Sequence, residues 1–281
     1  MEREAIGFWQ NVTLSDLLFA FRKAKADCFF ERSICIANQF AEYEKDLARN
    51  LTDLLSRLHA NEITEVLLEN IGQTRVVAKK LGTERKPPKK KMAISEGHSF
   101  FSDPARAFEI LCVSHDLVPE FRLIGDFPVA MHVLSALWIN LVGHKFDAVL
   151  TKSAYGSRLR RYRPEPGAPK ESVGAYHLEA VGSFQPYFGP YKEWRSRGLN
   201  SIRTELKADH AVIAISMDLT SYYHRVDPSF IADSRFHTHA GIDLSEWELE
   251  FTKAFGACLV KWSQRVAKEM HDLGCSKKEV T

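Results

Sequence analysis

The sequence predicts an α+β protein on three observations. The front part places apolar residues at helical spacing, an alternating apolar run at residues 211–217 fits a strand, and a capped amphipathic stretch closes the chain. With 281 residues and 45% hydrophobic content the chain can bury a substantial core, in one large domain or two ordinary ones. Its formal net charge of +2 does not mark a nucleic-acid binder by total, so any basic surface must come from local clustering. Five cysteines (Cys28, Cys35, Cys112, Cys258 and Cys275) stand singly without C-x-x-C spacing, which fits reduced thiols and a cytoplasmic location. The opening "MEREAIGFWQ" lacks the apolar core of a secretory signal.

Leu14, Leu17, Leu18 and Phe21, then Leu47, Leu51, Leu54, Leu55 and Leu58, predict helices from Leu14 to about Leu81. "ERKPPKKK" at 84–91 breaks the pattern with two prolines and five basic residues, the composition of an exposed connector. Such a run is by default a solvated linker; its functional use would be to grip a phosphate backbone. "VAMHVLSALWINLVG" at 129–143 is short for a bilayer and carries His132 and Asn140, so a buried helix is expected and no membrane partner. After Pro104 short extended pieces mix with helix. "SRLRRYR" at 157–163 sets Arg158, Arg160, Arg161 and Arg163 between Tyr155 and Tyr162. Basic residues interleaved with rings suit nucleic acid, the charges meeting phosphates while the rings stack; surface arginines without a ligand are the plainer alternative. "PEPGAPK" is loop by composition, and "YKEWRSRGLNSIRTEL" reads as an amphipathic helix. Asp227 before Pro228 caps a short helix. Ser245 and Glu248 form a capping box for a final helix with Trp247, Phe251, Phe255, Cys258, Trp262 and Val266 on its apolar face and Gly274 as its stop.

In "AVIAISMDLTSYYHRVDPSF", alternation over 211–217 puts Ile213, Ile215 and Met217 on a bulky face expected to pack on helices. Ala214 and Ser216 are left on an open face that ends at Asp218. A carboxylate there is either a cap or a ligand for Mg2+, which takes one or two carboxylates together with substrate phosphates.

"DLTSYY" resembles motif A of reverse transcriptases, and "HRVDPSF" continues it in the form found in bacterial reverse transcriptases of phage defence and abortive infection. "FRLIGDFP" at 121–128 is similar to a fingers segment of group II intron-type enzymes, and "FDAVLTKSAYGSRLRR" to their F…SYGFRP element. "AFRKAKAD" and "FAEYEKDLARNL" also look like the opening of the defence-associated group. The resemblance implies the front of a right-hand polymerase: residues 1–90 a helical region, 91–205 fingers-like, 206–281 the first part of a palm. It implies Asp218 as catalytic Mg2+ ligand, and Arg122, Arg158 and Tyr223 at the nucleotide, Tyr223 as the sugar gate. Arg160, Arg161 and Lys152 would lie at nucleic acid. The implied partners are an RNA or DNA template–primer and nucleoside triphosphates. The second metal motif of that family, an Asp-Asp hairpin, has no counterpart, since no two aspartates are adjacent in the sequence. The expectation is therefore a reverse-transcriptase fragment, weakly active or inactive by itself. The rivals are a non-catalytic nucleic-acid-binding or assembly module, untemplated nucleotide addition, and a metal hydrolase built on His237 and His239 of "FHTHAG".

Overall fold

The computed structural model describes residues 7–30, 34–83, 117–163, 174–215, 217 and 227–272. Four helices come first: α1 (Leu14–Phe30), α2 (Ile34–Lys45), α3 (Leu47–His59) and α4 (Ile63–Glu69). Thr13 and Asp16 start α1 with a reciprocal cap, in which the Thr13 backbone N–H and hydroxyl both donate to the Asp16 carboxylate. The predicted stripes are only partly inward. Leu17, Phe21, Leu51, Leu54 and Leu58 are buried, whereas Leu14 and Leu18 face solvent.

Helix does not continue to Leu81. Residues Gln73–Thr83 are strand β1, paired antiparallel with β2 (Leu117–Asp126) from Gln73↔Asp126 to Thr83↔Leu117, with an irregularity between Ala78 and Lys80. A run such as Val76, Val77, Leu81 satisfies helical and extended patterns alike, and partners 38 to 47 residues on decide between them. Arg75 on β1 is ion-paired with Asp126 on β2. This ribbon, Gln73–Asp126, is one compact unit; Met1–Gly72 with Phe127–Thr281 is the other.

In the larger unit, α5 (Val129–Trp138) is the buried helix expected there, and no helix among the described residues is long and apolar enough to cross a membrane. It widens into a π turn (Ile139–Gly143) and runs on as α6 (His144–Val149). Gly143 is required in that turn, because a Cβ would lie 2.8 Å from the Trp138 ring. After a long loop come α7 (Phe188–Lys207), a 3-10 turn (Pro228–Ala232), α8 (Ser234–Ala240) and α9 (Glu246–Asp272). The caps match expectation: Asp227 accepts from the Ser229 N–H, and the Ser245 N–H and hydroxyl both donate to Glu248. Phe251, Cys258 and Val266 of α9 are buried as predicted. Phe8 stacks on Trp247 at 3.3 Å, Trp9 meets Phe251 edge-on at 5.2 Å, and the Cys258 thiol donates to the Leu67 carbonyl. The N-terminal helices and the final helix therefore share one core.

Two further expectations are overturned. The described part of 211–217 is not a strand, and Ile213, Ile215 and Met217 are 90%, 78% and 89% exposed. Apolar alternation makes a strand only where another segment supplies hydrogen bonds, and among the described residues none pairs with 211–215. Likewise α7 forms where predicted, yet none of its residues is buried.

Candidate functional site

The loop after α6 carries most of the expected binding residues, and one aspartate organises it. Asp147, buried on α6, accepts from Arg158 Nε (2.8 Å) and the Leu159 N–H (3.2 Å) through Oδ1, and from Arg161 Nη2 through Oδ2. Burial alone would raise its carboxyl; the Arg158 and Arg161 hydrogen bonds outweigh that and hold it below the usual carboxylate range. Arg158 also donates to the carbonyls of Asp147, Thr151 and Ala154, closing the end of α6. Arg160 Nε donates to the Phe184 carbonyl and Arg161 Nη1 to that of Gly174. Antiparallel bridges Leu159↔Phe184 and Arg161↔Tyr176 fold residues 174–186 back on 158–162. Of this set Lys152 and Arg163 are exposed, and Tyr155 accepts a hydrogen bond from Arg197 of α7 at 2.7 Å.

Beneath the loop lies a polar cluster that the sequence did not announce. Lys23 of α1 is 1% exposed, donates to the Tyr176 hydroxyl and the His177 carbonyl, and sits 4.1 Å from the centre of the Tyr176 ring. Tyr176 in turn donates to Asn140 Oδ1 in the π turn at 2.6 Å, and His144 stacks on its ring. One turn along α1, both carboxylate oxygens of Asp27 accept the Ser183 N–H. Gly182, at φ +78°, makes that approach possible, since a Cβ would lie 2.9 Å from Asp27 Oδ1. Burial lowers the Lys23 ammonium to about 8; Asp27 opposes the shift and Arg160 adds to it. Burial raises the Asp27 carboxyl and the Tyr176 phenol, and it lowers His144. The signal was present at the wrong level. Lys23 lies among Leu17, Ala20, Phe21 and Ala24 on the inward face of α1, but its partners are about 150 residues away.

The remaining expected residues divide as follows. Arg122 stands on β2 opposite Val77, in the ribbon. Asp218 and Tyr223 lie outside the described residues, and with them the Mg2+ expectation; among the described residues no group of three His, Cys, Asp or Glu side chains could hold a metal. "FHTHAG" is helical in α8, where His237 is buried with Nε2 on the Ile231 carbonyl at 2.6 Å, so it is not half of an open metal pair. Compared with known proteins, the chain matches no family model, no curated protein and no solved structure.

Proposed function

We propose that this chain is the front portion of a reverse-transcriptase-type nucleotidyltransferase that handles an RNA or DNA template–primer. The observation that carries the reading is motif order: Arg122 on a strand, an apolar helix directly after it, the Tyr155-Gly156-Arg158 loop on that helix's end, then Asp218 followed five residues on by Tyr223. It is supported by the ribbon, whose strands pair as far as Thr83↔Leu117, with the basic stretch 84–91 following Thr83 in the sequence. Phosphate contact belongs to that connector and to Lys152 and Arg163, because Arg158 and Arg161 are committed to Asp147. Asp218 would hold Mg2+, which neutralises charge developing in phosphoryl transfer. A single carboxylate fits one shared ion, and the sequence has no Asp-Asp pair for a second. That absence favours, as second reading, a binding or assembly module without catalysis.

The test is equilibrium binding of a labelled RNA–DNA hybrid against potassium chloride concentration. Affinity should fall steeply with salt, and replacing Lys86, Lys89, Lys90 and Lys91 by glutamine should flatten the log–log slope by roughly 3–4. A slope unchanged by the four substitutions would refute the assignment.

A further inference from the structure

We propose that the exposed face of α7 is a stacking platform for single-stranded nucleic acid, with Tyr187, Tyr191 and Trp194 taking bases and Lys192 and Arg195 taking phosphates. This deepens the preceding reading and rests on it only for the class of ligand.

Four- and three-residue spacing sets the three rings in a row at the start of the helix. Tyr187 and Tyr191 are 5.2 Å apart and nearly parallel, and Tyr191 and Trp194 are 5.8 Å apart. They are open to solvent, with Trp194 55% exposed. Isolated exposed apolar residues need no explanation; a continuous aromatic row on a helix with no buried residue does. A base offers an aromatic ring a face of any sequence, so such a row binds single strands without reading them.

Charge decides the occupant. Within Phe188–Lys207 there are five cations against two carboxylates. Around the helix Arg195 borders the row next to Tyr191 and Lys192 follows it on the same side, whereas Arg203 lies nearly opposite the rings. Among the described residues Lys192 and Arg195 have no carboxylate partner, whereas Glu193 turns away to Arg197 and Glu205 meets His210. A second copy docked face to face would bring these cations against their own kind, which disfavours self-association. A duplex hides its base faces, so the surface suits unpaired strand.

The experiment uses the full chain with labelled oligothymidylate of about twenty nucleotides and a duplex of similar length. Oligothymidylate should quench Trp194 emission, and the quench should vanish in Trp194→Leu. Tyr191→Leu with Trp194→Leu keeps the surface apolar but removes the ring faces, and should weaken oligothymidylate binding about tenfold or more. Lys192→Gln with Arg195→Gln should weaken it and lower its salt dependence. Affinity within twofold of wild type after the rings are removed overturns the proposal. So does a dimer that the leucine pair converts to monomer with oligothymidylate binding unchanged. Duplex binding without oligothymidylate binding refutes the platform and leaves the preceding function standing; ring-dependent oligothymidylate binding without duplex binding does the reverse. Binding of neither refutes both.

Discussion

Replacing Lys23 by methionine should stabilise the protein at neutral pH and cancel a specific pH dependence. The ammonium is 1% exposed and faces the Tyr176 hydroxyl, the His177 carbonyl, Asp27 on its own helix and Arg160 from the loop, with Asn140 and His144 behind Tyr176. A pKa lowered from 10.5 to about 8 corresponds to about 3 kcal/mol of preference for the neutral amine in the fold. The sign follows from proton counting. Below pH 8 the lysine is charged in both states and the full cost is present. Between pH 8 and 10.5 the unfolded chain binds more protons than the folded one, so stability rises with pH.

Other groups oppose this. Burial pushes Cys258 up to about 11 and Tyr43 up to about 12, so their unfolded forms ionise first and stability falls from pH 9 upward. The wild-type gain should therefore show clearly only from pH 8 to 9. The difference between wild type and variant removes these common contributions. Methionine removes the charge but takes a donor from the Tyr176 hydroxyl and leaves the His177 carbonyl only the Ala180 N–H at 3.3 Å, an offset of about 1–2 kcal/mol. A net gain of about 1–2 kcal/mol at pH 7 is expected, shrinking by about 3 kcal/mol by pH 10.5. Urea denaturation followed by circular dichroism at steps from pH 7 to 10 measures it. Stability curves that run parallel across that range would refute a buried, charged Lys23.

Three further outcomes are expected. Gly182→Ala should cost about 2 kcal/mol in thermal unfolding, because strained backbone combines with a clash at Asp27, whereas Gly174→Ala, at φ +85° in open space, should cost only the backbone part of about 1 kcal/mol. Arg158→Ala should lower stability by about 2 kcal/mol, since Asp147 loses a charged partner, while Lys152→Ala at an exposed site should leave the melting temperature unchanged. Asp147→Asn should remove a contribution that is present above pH 4 and lost as pH falls through the depressed pKa of the carboxyl, so variant and wild-type urea midpoints should converge in acid.

Local chemistry was legible and non-local partnership was not. The Ser245–Glu248 box, the Asp227 cap and the apolar face of α9 are set within a few residues of one another, and each stands where its residues indicate. In contrast β1 is extended where its pattern suggests helix, and the described part of 211–217 is not a strand where its pattern suggests one. The state of each depends on whether a distant segment offers hydrogen bonds. Lys23 fails for the same reason, because its inward position is readable on α1 and the loop that satisfies it is not.

The arginines of 157–163 carry this furthest. A guanidinium fits a phosphate and a carboxylate by the same fork of donors, so composition cannot distinguish a ligand site from an internal clamp. What distinguishes them is Asp147, eleven residues before Arg158 and fourteen before Arg161, an ordinary acidic residue until α6 ends and the chain returns over it. Once it is engaged, Arg158 and Arg161 position the loop, and their loss should act through folding before it acts on any ligand. Beside the connector 84–91, Lys192 and Arg195 of α7 and the exposed Lys152 and Arg163 are cations that, among the described residues, no buried carboxylate claims. Salt dependence that survives Arg161→Ala in a folded protein, but weakens with Lys192→Gln and Arg195→Gln, is the outcome this division requires.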